Sequence, residues 1–353
     1  MKKANKRFLN NLLTYGMVAA AFLICEAMIS GGHMTRSLKG QLVPICCWIV
    51  MAVSLNLVVG ISGELSLGHA GFMSVGAFTG VILSTWLLSA FELENTTVRL
   101  VIAMVGGGIT AGIAGVLIGI PVLRLQGDYL AIVTLAFGEI IRNVLNCVYI
   151  SVDGSRLHFG FLNPGLNGTL ILNGPNGASG VKKIATFEMG IIVVFFTLFV
   201  VLNLINSRSG RAIMAVRDNR IAAEATGINV TKYRMMAFVT SAALAGIAGA
   251  LYGLNFSSMV PSKFKFDQSI LVLVFVVLGG IGSIRGSIIA ATVLTVLPEL
   301  LRAFADYRML VYAVLLIAMM LLTNNKNLSA FFSRLRPGEK DGAADASKGG
   351  AAS

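Results

Sequence analysis

Charged side chains are scarce inside the apolar stretches of this chain, so those that occur there are the first candidates for chemistry. In LAFGEIIRNVLN, Glu139 and Arg142 stand three residues apart, which puts both on one face of a helix. Ionised groups within an apolar span are costly unless paired or hydrated, so the pair must face protein or a water-filled cavity. It is either a structural ion pair or part of a translocation path. A second group lies in NLVVGISGELSLGHAGFMSVGAF at 56–78, where Gly60, Gly63, Gly68, Gly71 and Gly76 interrupt an apolar stretch that holds Glu64, Ser66 and His69. Polar groups at a broken helix are how many transporters meet polar substrates. The plainer alternative is a bent helix with a glutamate at the membrane edge. Glu26 stands alone in the first apolar segment. A third group lies between apolar segments, in RSGRAIMAVRDNRIAAEATGINVTKYR, where Arg217, Asp218, Arg220 and Glu224 surround Ile213, Val216, Ile221 and Ala225. This pattern is basic, helix-forming and amphipathic, and suits either a lipid surface or the docking of a soluble partner.

Other chemistries lack their residues. No GxxxxGK[ST] phosphate loop and no HExxH motif occurs, and His33, His69 and His158 have no ligand spacing. Neither an enzyme activity nor a cofactor or metal is expected on this chain. GGGITAG at 106–112 imitates a dinucleotide loop, but it sits in an apolar helix with no preceding strand, where helix packing accounts for it. Cys25, Cys46, Cys47 and Cys147 fall in or beside apolar blocks without CxxC spacing and read as small buried hydrophobes.

The elements that must position these groups follow from composition. Of 353 residues, 56% are hydrophobic and 12% charged, and the mean hydropathy is +0.81. Apolar residues come in blocks of the ~20 residues that a helix needs to cross a bilayer, not in the alternation of barrel strands. Ten such segments are expected, at 8–30, 42–60, 67–90, 98–120, 129–151, 187–206, 235–256, 268–283, 287–302 and 308–323. The expected fold is an all-α polytopic bundle, with Gly-rich junctions at ISGELS (61–66) and IRG (284–286) that serve as turns or as re-entrant breaks. Gly108-x3-Gly112, Gly115-x3-Gly119, Gly76-x3-Gly80 and the row Ala245, Gly249, Gly253 mark faces where helices approach closely.

The net charge of +12 is spread between apolar blocks, so it reads as an orientation signal and not as a nucleic-acid surface. With the N-terminus cytoplasmic, 17 Lys and Arg fall inside and 10 outside, which favours N-in and C-in. Residues 1–41 form a basic segment, an uncleaved signal-anchor helix and a short external loop. Residues 42–325 form the main domain, with a turn-dense external loop at 152–185 and a cytoplasmic loop at 207–234. Residues 326–353 are a cytoplasmic tail with the composition of disorder after about 337.

GISGELSLGHAGFMSVGAF, GDYLAIVTLAFGEIIRNVLN, VRDNRIAAEATGINVTKYRMMAFVTSAALAGIAGALYG and VLGGIGSIRGSIIAA resemble, in order, the permease subunits of branched-chain amino-acid ABC importers of the LivM type. The resemblance covers about Leu42 to Leu322. It implies a bacterial inner-membrane protein that works with a LivH-like second permease subunit, two cytoplasmic ATP-binding subunits that hold ATP and Mg, and an extracytoplasmic solute-binding protein. It also implies that the 207–234 loop couples to the ATPase through Arg217, Asp218, Ala223, Glu224 and Gly227. Ser66, His69, Glu139 and Arg142 remain candidates for the translocation path. Two departures stand out: Ser287 occupies the place of the proline in the family's G-x-x-G-P motif, and the 152–185 loop retains only GPNGASG of the usual TGGSNGL-type stretch. Alternative readings are an importer of urea or a short amide, a self-sufficient ion-coupled secondary transporter, and a membrane scaffold or receptor.

Overall fold

The computed structural model describes residues 2–32, 35–125, 127–154, 156–161 and 168–301, with isolated positions at 307 and between 310 and 317. The chain divides into two compact units, Met1–Glu299 and Leu300–Ser353. Most of the expected segment 308–323 and the whole tail 326–353 lie outside the described residues.

The first unit begins with α1 (Lys2–Ser30) and α2 (Arg36–Asn56), which runs into one π-helical turn at Leu57–Ser62. A non-helical leg at 63–68 leads into α3 (His69–Phe91), followed by α4 (Thr96–Val122) and α5 (Asp128–Cys147). Strands β1 (Val148–Asp153), β2 (Arg156–Phe161), β3 (Thr169–Asn173) and β4 (Ala178–Ser179) precede α6 (Phe187–Asn206). Then come α7 (Arg208–Asp218), α8 (Arg220–Ala225), α9 (Val230–Gly253), β5 (Ser258–Met259), α10 (Phe266–Gly279) and α11 (Ile284–Leu300). Polar residues start several of these helices: Asn95, Thr186, Ser207, Asn219 and Asn229 each accept from a backbone N–H of the first turn.

Among the described residues, seven helices are long and apolar enough to cross a membrane, those at 11–30, 37–62, 69–91, 96–122, 129–147, 187–206 and 230–253. Helices α10 and α11, of 14 and 17 residues, fall short of the ~20 that a straight span needs. The protein is therefore a polytopic helical bundle. The expectation of an all-α chain needs correction, because the 152–185 loop contributes to a sheet of five antiparallel-paired strands in the order β2-β1-β3-β4-β5. In the fifth apolar segment the helix ends at Cys147, four residues before the expected end, and the chain continues as strand from Val148. The IRG junction is also displaced: Arg285 and Gly286 belong to α11, and the turn is made by Gly280–Ser283, where Gly280 (φ +93°) and Gly282 (φ +82°) take up the left-handed conformation.

Helices α3, α4 and α9 form the centre, and the small-residue faces read from the sequence meet there. A Cβ on Gly249 would lie 2.0 Å from the Met73 carbonyl oxygen, and one on Gly76 2.1 Å from that of Gly246. Gly115 and Gly119 receive Ala242 and Met235 of α9. Gly76 is seven residues into α3 but meets Gly246, sixteen residues into α9. Helix α3 therefore starts roughly 13 Å inside the bundle relative to the start of α9, at 1.5 Å per residue. The leg at 63–68 is thus an internal break.

Gly249→Val is expected to destabilise the chain by about 3 kcal/mol or more through overpacking against α3. Gly112→Ala, whose new Cβ would meet Ala243 at an ordinary 3.5 Å, should leave stability unchanged or raise it by up to about 1 kcal/mol. Thermal denaturation of both purified variants in detergent tests this; equal melting points would refute the close-approach argument.

Candidate functional site

The break creates a local polar problem that neighbouring elements solve. The π turn closes with Glu64 N donating to Val58 O (3.1 Å), and Gly63 turns the chain at φ +76°. From there Leu67 N donates to Thr134 Oγ1 of α5 (3.0 Å), and Ala70 N donates to Ser269 Oγ of α10 (3.1 Å). Gly60 sits so close to the α10–α11 turn that a Cβ there would come 2.4 Å from Gly282 N. Asn56 ties down that same crossing, accepting from Gly282 N and donating to Ser287 Oγ, both at 2.9 Å. Ser287, in the place of a proline, supplies this acceptor and also an N–H that donates to Ser283 O at 3.0 Å. Proline would supply neither.

His69 is buried at the first turn of α3, its Nε2 2.8 Å from Ser54 Oγ. The Ser54 hydroxyl donates to Met51 O (3.0 Å), which leaves Nε2–H of His69 as the donor in their contact. Ser241 of α9 donates to Ser54 O at 2.6 Å, so three helices meet at this polar knot. Nothing in sequence spacing pointed to Ser54 or Ser241; the available signal was a lone hydroxyl within an apolar span. Between Gly68, Phe72, Ile118, Thr134, Phe137, Gly138, Ile141 and Phe238 lies a crevice with about 180 Å³ of empty space, too narrow here to admit a water molecule.

Ser66 is buried, and its hydroxyl has no hydrogen-bond partner among the described residues. Glu139 and Arg142 do pair, with Arg142 Nη2 2.6 Å from Glu139 Oε2. Glu139 Oε1 also accepts from Phe266 N (3.3 Å) at the start of α10. This half-buried pair is thus satisfied and fastens α10 to α5.

The amphipathic segment folds as two helices instead of one and rests on the break. Ile213 is buried with Leu57, Ile61 and Ala237. Arg217 Nη1 donates to Gly60 O (3.1 Å), its aliphatic stem covers Gly63, and its Nη2 pairs with Asp218 Oδ1 at 2.8 Å. Ala223 packs with Val216, Val230 and Ile228. Glu224 pairs with Arg220 at the surface (3.0 Å), Ile221 is 79% exposed, and Gly227 ends α8 with φ +82°. Beneath this cover, Arg234 Nε lies 2.7 Å from Glu64 Oε1, although the N–H does not point at the oxygen. Arg234 lies 170 positions from Glu64, so no local spacing joins the two.

An interrupted helix inside a multi-span bundle, overlain by an amphipathic helix pair, is an arrangement that suits a membrane transport protein, and the comparisons give the permease class. The chain belongs to the family described as "Branched-chain amino acid transport system / permease component", whose model matches residues 38–323. It is 34% identical to the high-affinity branched-chain amino acid transport system permease protein LivM of Salmonella typhimurium, over 90% of this chain and 73% of that protein. It is 35% identical to the LivM of Escherichia coli, over 78% of this chain and 66% of that protein. The LivH permease of Salmonella typhimurium is 26% identical over 78% of this chain and 89% of its own length. No solved structure matches.

Proposed function

We propose that this chain is the membrane-spanning permease subunit of an ATP-driven importer that translocates leucine, isoleucine and valine. The single observation that carries the mechanism is the seating of α7 on the interrupted helix, through Ile213 and the Arg217–Gly60 hydrogen bond. A soluble motor pressing on α7 and α8 acts directly on the break, and need not reach through the whole bundle. Family membership and the names of the LivM and LivH relatives support the cargo.

On this reading α7 and α8 face the cytoplasm, and the N- and C-termini lie on that side. The short helices α10 and α11 and the 308–323 segment complete about ten passages. Two cytoplasmic ATP-binding subunits hold ATP and Mg and dock at α7 and α8, where Ile221, Arg220 and Glu224 offer an exposed apolar side chain ringed by charge. A LivH-like subunit covers apolar faces such as that of α5, where Tyr129, Ile132, Ile140 and Val144 are exposed. An extracytoplasmic binding protein delivers the amino acid at the end that carries the sheet. Residues 1–41 act as an anchor, 42–325 as the permease domain and 326–353 as a tail. Closure of the ATPases moves α7 and α8 and rocks the bundle between outward and inward openings. Ser66 and His69, at the interrupted leg, border the path. The satisfied Glu139–Arg142 pair positions α10 beside it.

Arg217→Ala combined with Glu224→Ala is expected to lower ATP-dependent leucine uptake at least tenfold in proteoliposomes holding the complete transporter. Association with the ATP-binding subunits, read by co-purification, should weaken in the same variant. If uptake and association both survive, α7 and α8 are not the coupling segment. Uptake by this chain alone, driven by an ion gradient, would instead establish a secondary transporter. Competition by urea but not by isoleucine or valine would reassign the cargo.

A further inference from the structure

Along residues 62–68 burial alternates. Ser62, Glu64, Ser66 and Gly68 are buried, whereas Gly63 and Leu65 are exposed and Leu67 is half-buried. Ser62, at the end of the π turn, and Glu64 and Ser66 of the leg therefore bury a hydroxyl, a carboxylate and a second hydroxyl within five residues. Ser62 Oγ, both Glu64 carboxylate oxygens and Ser66 Oγ have no hydrogen-bond partner among the described residues, and neither does Arg234 Nε. Buried polar atoms left in this condition are costly, and a cluster of them requires an explanation. The contrast lies one helix away: Glu139 and Arg142 are matched to each other and to Phe266 N. Glu64 and Arg234 have met as charges and still want hydrogen bonds.

We infer that Glu64 and Arg234 form a transient binding site for the zwitterionic head of an amino acid, the α-ammonium going to Glu64 and the α-carboxylate to Arg234. The two unmet needs are complementary to that head: acceptor oxygens without donors on one side and a guanidinium donor without an acceptor on the other. A 2.7 Å contact leaves no room for a ligand, so the pair must part before the amino acid enters. Ser62 and Ser66, two residues to either side of Glu64 in the chain, then donate to whichever carboxylate oxygen stands free. The cover over this seam is Arg217, whose stem lies on Gly63 and whose guanidinium holds Gly60 O. Movement of α7 lifts that cover, so opening of the site is tied to the segment assigned to coupling. A neutral solute such as urea has no charge for either partner and gains nothing from parting them. The site therefore selects amino acids at the permease itself, in addition to any selection by a binding protein.

This inference rests on the importer reading, and the experiment separates the two. Leucine uptake is measured in proteoliposomes holding the complete transporter, for the parent chain, Glu64→Gln, Arg234→Gln and the double variant, with assembly checked by co-purification. Uptake is expected to fall at least tenfold in each single variant and to stay down in the double variant. A merely structural ion pair predicts recovery in the double variant, where no buried charge is left unpaired, and that recovery would overturn the site. In a second measurement, Ser62→Cys in the otherwise unchanged transporter is labelled with a methanethiosulfonate during ATP turnover. Leucine at millimolar concentration should slow labelling at least threefold, and urea should not. Equal labelling with and without leucine would also overturn the site. If the parent transporter takes up urea and not leucine, it is the cargo assignment that fails.

Discussion

Inside a bilayer the backbone has no water to bond with, so every N–H and C=O released where a helix is interrupted must find a partner within the protein. Much of this molecule is arranged around that demand at residues 57–68. Thr134 of α5 and Ser269 of α10 accept the amides of Leu67 and Ala70, Arg217 of α7 donates to the carbonyl of Gly60, and Asn56 takes the amide of Gly282. Each of these partners fixes the position of its own element. The break is therefore the point at which α5, α7, α10 and the α10–α11 turn are registered against one another.

The second organising condition is steric. Helices α3, α4 and α9 approach until backbone touches backbone, and this is open only to glycine and alanine faces. Lipid-facing helices have no such restriction, and α4 accordingly turns its glycines inward and leaves Ile109, Ile113 and Leu117 outward. A rigid centre beside a broken, hydrogen-bond-dependent leg gives a frame against which one part can move.

The parts legible in the sequence were those with local causes. Segment 187–206 coincides with α6 because a capping threonine, an unbroken apolar run and a polar stop lie in one stretch. The glycine faces were readable from four-residue spacing, and the interruption near ISGELS from glycine density. Strands β1 to β3 were concealed because Gly, Asn and Pro mark turns equally well in a loop and in a small sheet, and the alternation in RLHFGF and TLILN spans only a few residues each. Two amphipathic helices looked like one because Asn219 both ends α7 and caps α8. The Ser54–His69–Ser241 knot and the Glu64–Arg234 pair were invisible for a different reason. They join distant stretches through single contacts, and no periodicity records a contact of that kind.

Asn56 uses both ends of its amide, one on a backbone N–H and the other on the Ser287 hydroxyl. That bond couples positions 56 and 287, although 231 residues separate them. Proline at 287 would leave the Asn56 donor without its acceptor, whereas the Ser287 hydroxyl keeps a second partner, the Ser283 carbonyl oxygen at 3.2 Å. The dependence therefore runs one way: the asparagine needs the serine more than the serine needs the asparagine.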